Sequence, residues 1–221
     1  MNTIDPIIRF EHVSKKRGNQ IILDDVTFAV EKNTLTVIQG FSGIGKTTIL
    51  SLISGFERID AGNLYVNHLL VDSHESYIQP NKRHVAMQFQ GLALWPHVSA
   101  LEHILFVMRN PSIDGALDVA RRVGFPAKKL YTYPGELSGG ERQRLALART
   151  IATPCEIILF DEPFNNLDAH LYQRVTDLIE ELSHTKTVIV VTHDVTSNKT
   201  VLTPQSRYQL VNCRFVLVDQ S

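Results

Sequence analysis

A glycine-rich run at residues 40–48, GFSGIGKTT, has the residue types and spacing of a phosphate-binding loop. It fits the pattern G-x-x-x-x-G-K-[ST], and it lies between the apolar run TLTVIQ and the helix-like run TILSLIS. Glycines let backbone N–H groups converge on phosphate oxygens, and a helix N-terminus adds unpaired donors and a positive dipole end. The run therefore predicts a site for the phosphate chain of a nucleotide.

Three residues at the end of this loop are predicted to contact phosphate oxygens or Mg²⁺. Lys46 is expected to reach the β- and γ-phosphates, and the Thr47 hydroxyl is expected to bind Mg²⁺, with a further phosphate contact from Thr48. The alternative is a glycine-rich turn that carries an exposed lysine, and the strand–loop–helix context favours the phosphate site. The expected nucleotide contacts in the loop are Gly40, Phe41, Ser42, Gly43, Ile44, Gly45, Lys46, Thr47 and Thr48.

A pair of adjacent acids, Asp161 and Glu162, ends the apolar run IILFDEP. Successive residues of a strand point to opposite sides, so we expect the two carboxylates to take different tasks. One is expected to face the metal's water shell, and the other is expected to face a water that attacks the γ-phosphate. Two acids at a strand end are more often solvated loop residues, and the phosphate loop in the same chain is what favours the catalytic interpretation.

Strand-like and helix-like segments alternate along the chain, which predicts an α/β fold with a mainly parallel sheet. CEIILF and TVIVVTHD are short continuous apolar runs typical of buried strands, and AHLYQRVTDLIEELSH has an apolar helical face. Ligands of such sheets bind beyond the carboxyl ends of the strands, which is where Gly40, Asp161 and His193 lie. Residues 91–136 are richer in helical patterns and form a candidate inserted helical subdomain, with a core expected over 7–90 and 137–221 of a single domain 1–221.

The length and composition of the chain limit the classes of function that it can have. A chain of 221 residues can bury one generous core, and 20% charged residues with a net charge of -1 leave no basic excess for nucleic acid, so no nucleic-acid partner is expected. No apolar run reaches the length of a membrane-spanning helix, and the N-terminus lacks the pattern of a secretory signal, so a cytoplasmic location is expected. Cys155 and Cys213 are too few for a disulfide framework, and Cys155 is interpreted as a reduced core residue.

A second small-residue run, LSGGERQR, opens another predicted helix and resembles the signature of ATP-binding cassette (ABC) proteins. MQFQGLALWPHVSALEHI, YPGELSGG, ILFDEPFNNLD and VVTHD are similar to that family's Q-loop, signature approach, Walker B with D-loop, and H-switch, in family order. The similarity runs from about Ile8 to Asp194. It implies a P-loop NTPase core with an N-terminal antiparallel β subdomain and an inserted helical subdomain.

The resemblance also implies residue roles and a second subunit. Two copies of the chain would pair head to tail as a homodimer, so that Ser138, Gly139 and Gly140 of one copy cover the ATP bound to the other. Gln90 matches the glutamine that contacts Mg²⁺ and the attacking water, and Asp168 matches the D-loop residue at the dimer interface. Glu162 then matches the general base and His193 the γ-phosphate sensor, although a lone histidine is more often a core residue whose ring nitrogens are hydrogen-bonded.

The implied cofactors are ATP and Mg²⁺. Expected catalytic residues are Glu162, His193, Gln90 and Lys46, and expected metal ligands are Thr47, Gln90 and Asp161.

The chain departs from the family pattern at three places. Arg17 stands where relatives carry an aromatic ring that stacks on adenine, and a planar guanidinium can stack on a base as well. Asn33 replaces a usual glycine and, like Asn67, tolerates a left-handed turn. After His193 the segment 195–221 differs from the usual helical pattern and ends in RYQLVNCRFVLV, which predicts a closing hairpin.

The resemblance implies an ATP-hydrolysing transporter subunit, peripheral on the inner face of the membrane, that energises solute transport through separate transmembrane permease subunits, with import favoured over export. An extracytoplasmic solute-binding protein is a further expected partner, and the transported solute is not encoded in these motifs. The alternatives are a soluble cassette ATPase without a transport role and a regulatory cassette with weak hydrolysis. Leu94, Trp95 and Val98 are expected either to line a groove for a helix of the membrane subunit or to pack within the helical lobe, with equal weight.

Overall fold

The computed structural model describes residues 6–165, 167–193, 202–211 and 213–220. Asn166 in the D-loop and residues 194–201, 212 and 221 of the departure after His193 lie outside the described residues. In chain order the strands and helices are β1 (Ile8–Arg17), β2 (Gln20–Val30), β3 (Leu35–Gln39), α1 (Lys46–Ser54), β4 (Ala61–Val66), β5 (Leu69–Asp72), β6 (Val85–Gln88), α2 (Ala100–Val107), α3 (Ile113–Arg122), α4 (Gly139–Ala152), β7 (Ile157–Asp161), α5 (Ala169–Ser183), β8 (Thr187–Thr192), β9 (Ser206–Val211) and β10 (Arg214–Gln220).

An antiparallel sheet of four strands forms from the N-terminal part of the chain, in the order β2-β1-β4-β5. Phe10 of β1 lies opposite Phe28 of β2 and Leu64 of β4, and all three side chains are buried. Alternation along these strands therefore places one apolar face against the rest of the protein. Asn33 and Asn67 occupy left-handed turns with φ of 55° and 51°, as the sequence predicts.

A second sheet of six strands has the order β10-β9-β3-β8-β7-β6, and it is parallel except for the terminal β10. Strands β3, β7 and β8 are buried throughout because helices and the first sheet cover both faces. Val37 of β3 pairs with Val190 of β8, and Leu159 of β7 pairs with Ile189 of β8. In-register parallel pairing brings the carboxyl ends of β3, β7 and β8 to one edge of the sheet, which is the edge that carries the candidate site.

Two apolar cores lie on the two sides of this sheet. One contains side chains of α1 and of the antiparallel sheet, and the other contains side chains of α4 and α5. Helix α5 buries the face predicted from its spacing, namely Leu171, Val175, Leu178 and Leu182. Helix α1 ends at Gly55, whose φ of 86° is the left-handed C-cap expected there.

Residues 91–136 contain α2 and α3, both of which pack on α4. Helix α2 begins with a capping box in which Ser99 and Glu102 satisfy each other's backbone N–H groups. The division of the chain into a core and a helical subdomain stays a prediction. None of the described helices is both long enough and apolar enough to span a membrane.

The predictions for the C-terminal hairpin and for Cys155 have different outcomes. Strands β9 and β10 form the predicted antiparallel hairpin at the end of the chain. Cys155, interpreted as a core residue, is only half-buried, because it precedes β7 and lines a cavity at the amino ends of the strands.

His103 of α2 is fully buried and links the helix to the preceding loop. Its Nδ1 lies 2.8 Å from the carbonyl oxygen of Ser99, and its Nε2 accepts a hydrogen bond from the backbone N–H of Trp95 at 2.9 Å. Because Nε2 accepts, the ring is neutral and its hydrogen is on Nδ1. Burial lowers the pKa of His103.

The free energy of unfolding is expected to fall as the pH drops from about 7 to about 5.5, because unfolded His103 gains a proton near its ordinary pKa while folded His103 does not. The stabilisation that neutral His103 provides is fully present above the pKa that this residue has in the unfolded chain. It is lost as the pH falls towards the lower pKa of His103 in the folded protein. Urea unfolding at both pH values should show a weaker pH dependence in His103→Gln than in the parent. The exposed His97 supplies the control His97→Gln, and equal pH dependence in parent and His103→Gln would contradict the expectation.

Candidate nucleotide-binding site

Residues 40–45 connect β3 to α1 in the way that the phosphate-loop motif requires. Gly45 is the N-cap of α1 with φ of 114°, and a Cβ atom there would lie 2.7 Å from Cγ2 of Ile22. Gly43 has φ of 79°, so both positions use backbone conformations that favour glycine. The loop is exposed from Phe41 to Gly43, and the Phe41 residue is 82% exposed.

Lys46 lies in the centre of this loop and is only 6% exposed. Its Nζ donates to the carbonyl oxygens of Gly40 at 2.8 Å and Phe41 at 3.1 Å, and it lies 3.9 Å from Oε1 of Glu162. Burial lowers the pKa of Lys46, and the nearby carboxylates of Glu162 and Asp161 oppose that shift. The alternative of an exposed lysine in a plain turn is therefore wrong.

Asp161 is the last residue of β7 and is 2% exposed. The Thr47 hydroxyl donates to its carboxylate, whereas Oδ1 has no hydrogen-bond partner in the described part of the chain. Burial raises the pKa of Asp161. An orphaned carboxylate oxygen beside a hydroxyl fits Mg²⁺, which prefers oxygen ligands and would stabilise the ionised acid. Gln90, the third expected ligand, is exposed in the turn after β6 and makes no hydrogen bond to Thr47 or Asp161 among the described residues.

Glu162 lies just beyond the strand and has φ of 51°, an unusual value for this residue type. The two adjacent carboxylates have different neighbours, since Asp161 interacts with Thr47 whereas Glu162 lies beside Lys46 and His193. Glu162 is 9% exposed, and its Oε2 lies 2.8 Å from Nδ1 of His193. Since a carboxylate can only accept, Nδ1 of His193 carries the hydrogen while Glu162 is ionised.

Arg17 reaches the same region from the end of β1. Its Nη2 donates to Oε1 of Glu57 at 2.5 Å and to the hydroxyl of Thr48 at 3.4 Å. The Arg17 side chain is 58% exposed, so one face of the guanidinium stays open to solvent. Sequence reasoning identified Arg17 and missed Glu57, which is 40 residues away along the chain.

The second glycine-rich run opens α4, whose N-cap is Ser138. The Ser138 hydroxyl accepts from the backbone N–H of Glu141, and the Glu141 carboxylate accepts from the backbone N–H of Ser138 at 2.9 Å and from Nζ of Lys129 at 2.7 Å. Gly139 and Gly140 form the first turn of α4. No hydrogen bond within the described ranges joins this run to residues 40–48.

Asp168 is exposed and serves as the N-cap of α5, where its Oδ1 accepts from the backbone N–H of Leu171 at 2.8 Å. The family resemblance implies an interface and nucleotide-binding role for Asp168 and does not indicate the cap, although Asp is a preferred N-cap residue. Capping leaves the other carboxylate oxygen available, so the interface role stays a prediction.

Arg149 of α4 is a positioning residue that sequence reasoning missed. Its guanidinium donates to the carbonyl oxygens of Leu92 at 2.8 Å and Ala93 at 2.5 Å and lies 5.7 Å from the centre of the Trp95 ring. Leu92 and Ala93 have φ of 59° and 47°, which is strained for residues with a Cβ atom. Arg149 therefore fixes the loop that follows Gln90 to the helix that begins at Ser138.

Comparison with known proteins identifies the family to which the chain belongs. The family model described as ABC transporter matches residues 23–165, which is well over half of the chain. The chain belongs to the ABC transporter family. This cassette is 36% identical over 195 residues to the Fe(3+) ions import ATP-binding protein FbpC of Brucella melitensis, covering 85% of this chain and 54% of FbpC. It is 36% identical over 198 residues to the glutamine transport ATP-binding protein GlnQ of Bacillus subtilis, covering 86% of this chain and 81% of GlnQ. The cassette thus spans about half of the first relative and most of the second.

Solved structures agree with this family. A dimeric post-hydrolysis state of the ATP-binding cassette MJ0796 bound to ADP and Pi matches with a TM-score of 0.82 and 26% identity, over 97% of this chain and 100% of that one. A bacterial Atm1-family ABC exporter with ATP bound matches in fold, with a TM-score of 0.85 at 21% identity over 97% of this chain and 39% of that one. The predicted fold class and family of the cassette are confirmed.

Proposed function

We propose that this cassette binds and hydrolyses ATP with Mg²⁺ as the energising subunit of a solute importer. The observation that carries the proposal is the cluster around Lys46, where Asp161, Glu162 and His193 meet the phosphate loop at the carboxyl edge of the parallel sheet. The ATP-binding import proteins among its relatives support the direction of transport.

The phosphate chain of ATP would bind along residues 40–48, where it receives backbone N–H groups and the N-terminus of α1. Lys46 now donates to two loop carbonyls, and its ammonium is close enough to exchange them for the β- and γ-phosphate oxygens. Arg17, held by Glu57 beside the same helix, would present its open guanidinium face to the base. The loop, Lys46 and Arg17 thereby hold and orient the nucleotide.

Thr47 and Asp161 would hold Mg²⁺, since one offers a hydroxyl and the other an unpartnered carboxylate oxygen. When bound, Mg²⁺ supplies positive charge to the phosphate oxygens during cleavage. The Asp161 pKa, raised by burial, would return towards its ordinary range on binding of the cation. Gln90 is a proposed further ligand, which requires its loop to move towards Asp161.

Glu162 is the proposed general base. Its carboxylate would accept a proton from a water whose oxygen forms a bond to the γ-phosphorus, while the bond from that phosphorus to the bridging oxygen breaks and ADP leaves. His193 donates to the other carboxylate oxygen and so fixes the orientation of Glu162. His193 is 59% exposed, which leaves its second ring nitrogen accessible to the γ-phosphate.

A second copy of the cassette would complete each pocket. Ser138 caps α4 as a hydrogen-bond acceptor, and its O–H, which bonds to the Glu141 carboxylate here, would exchange that acceptor for a phosphate on the partner. Gly139 and Gly140 add backbone N–H groups without side chains that would block the approach. The dimeric cassette among the structural matches supports a pairing of two copies.

The docking surface for the membrane subunits is proposed at Trp95 and Phe106, which are 39% and 74% exposed. Their rings meet edge to face at 5.2 Å, beside a cavity of about 460 Å³ that Val98 also lines. Leu94, in contrast, packs against the core that contains α4. The proposed occupant is a short amphipathic helix of a transmembrane permease subunit, which would place the cassette on the inner face of the membrane.

The experiment purifies the cassette with its membrane subunits and compares the parent with Trp95→Ala/Phe106→Ala. We expect the double variant to lose the membrane subunits while it keeps its own ATP hydrolysis, because the nucleotide residues are unchanged. Leu69→Ala removes a 57% exposed apolar residue from the antiparallel sheet and should not affect assembly. Full assembly of the double variant would contradict the docking site, and absence of hydrolysis in the parent would contradict the ATPase itself.

A further inference from the structure

A cavity of about 710 Å³ lies at the edge of the parallel sheet opposite to the phosphate loop. The residues that line it precede the strands: Lys32 lies before β3, His84 before β6, Glu156 before β7 and Lys186 before β8. Arg109, which follows α2, completes the wall. Because the nucleotide residues follow the strands, this amino-edge cavity shares no residue with the candidate nucleotide site.

Its lining carries more positive than negative charge. Lys32 pairs with Glu156 at 3.0 Å, so these two charges compensate each other. Lys186 donates to the carbonyl oxygen of Cys155, a neutral acceptor, and forms no ion pair within the described ranges. Arg109 and His84 likewise make no hydrogen bond or ion pair with any residue that the structure describes. Two permanent cations and one histidine therefore face the amino-edge cavity without a carboxylate partner.

The backbone at this cavity has two different local structures. Asn67 and His68, with φ of 51° and 62°, form the two-residue turn between β4 and β5, which requires positive φ at both positions. His84, with φ of 54°, lies outside that turn, directly before β6. The turn and the residue before β6 thus place a wall of the cavity beside Arg109 and Lys186.

We propose that the amino-edge cavity binds a small anion that carries two or more phosphate or carboxylate groups. Arg109 offers a planar fork suited to two oxygens of one such group, while Lys186 and His84 can bind a second group. The volume is within the range of cavities that hold small organic ligands. Unpartnered cations facing one concave surface gain most from a ligand with several negative charges, because each group satisfies a different donor.

Bound in this way, the anion would connect Arg109, which follows α2, to loops that precede four strands of the parallel sheet. The site is thus placed to respond to a metabolite without competing with ATP. Phosphate and carboxylate sources share this chemistry, and different probes distinguish them.

The test is calorimetric titration of the whole chain without Mg²⁺ and at constant ionic strength, with citrate and with fructose 1,6-bisphosphate as the two probes. At least one probe is expected to bind saturably with a Kd below about 1 mM. Arg109→Gln/His84→Gln should weaken that binding at least about tenfold, because it removes two donors of charge-assisted hydrogen bonds. Both substitutions remove side chains without a hydrogen bond or ion pair among the described residues, so the fold should be unaffected.

Two control variants locate the binding. Lys128→Gln changes an exposed lysine elsewhere, and Lys46→Ala removes the cation of the phosphate loop, and both should bind the probes as the parent does. Preference for citrate would indicate a carboxylate ligand, and preference for the bisphosphate would indicate a phosphorylated one. The proposal is overturned if neither probe binds saturably, if the double variant binds as tightly as the parent, or if Lys46→Ala abolishes binding.

Discussion

Replacing Glu162 with glutamine is expected to reduce the kcat of ATP hydrolysis by roughly 10²–10⁴-fold, the usual contribution of a positioned general base. Glutamine keeps the size of the side chain and can still contact His193, but it cannot accept a proton from the attacking water. Binding of ATP should persist because residues 40–48 are unchanged. Phosphate release measures the loss, and titration with a fluorescent ATP analogue measures binding.

The matched control for this substitution is Glu75→Gln, which changes an exposed glutamate in the loop after β5 and should hydrolyse ATP at the parental rate. Hydrolysis by Glu162→Gln within a factor of about ten of the parent would remove Glu162 as the base. Asp161, whose carboxylate lies near the same lysine, would then become the candidate.

Replacing Arg83 with methionine is expected to lower the free energy of unfolding by about 3–5 kcal/mol, because it removes four hydrogen bonds of a buried guanidinium, while only the carbonyl groups of Leu52 and Val71 keep a backbone donor within the described residues. Arg83 is 2% exposed. Its guanidinium donates only to backbone carbonyl oxygens. These are the carbonyl oxygens of Leu52 at 2.6 Å and Ile53 at 3.2 Å near the end of α1, of Val71 in β5 at 3.2 Å and of Ile78 at 2.7 Å. Methionine has a similar length and fills the space without replacing any of these hydrogen bonds.

Urea unfolding of Arg83→Met and of the neighbouring control Lys82→Met measures this effect. Lys82 is exposed, so its substitution should change the free energy of unfolding by less than about 0.5 kcal/mol. A loss below about 1 kcal/mol for Arg83→Met would mean that water satisfies the freed carbonyl groups.

Local sequence patterns were sufficient for features that depend on neighbouring residues. The phosphate loop follows from the spacing of Gly40, Gly45 and Lys46 between a strand and a helix, and the turns at Asn33 and Asn67 follow from the tolerance of asparagine for positive φ. The parallel sheet follows from alternating apolar strands and amphipathic helices.

Features that depend on distant contacts were not predicted. Glu57 holds Arg17 across 40 residues, and Arg149 holds the loop at Leu92 across 57 residues, so no local pattern indicates either pair. The left-handed backbone at Glu162, directly after the end of β7, also has no local sequence signal. Unpaired cations at the amino-edge cavity come from loops that only the folded sheet brings together.

The central claim is that two copies of the cassette build each catalytic pocket, and tandem fusions of two copies test it most directly. In one fusion the first copy carries Lys46→Ala and the second carries Ser138→Phe, so a head-to-tail arrangement retains one intact pocket. In the other fusion one copy carries both substitutions, which damages both pockets while the composition stays the same. We predict ATP hydrolysis by the first fusion and none by the second, and equal rates in the two fusions would contradict the shared pocket.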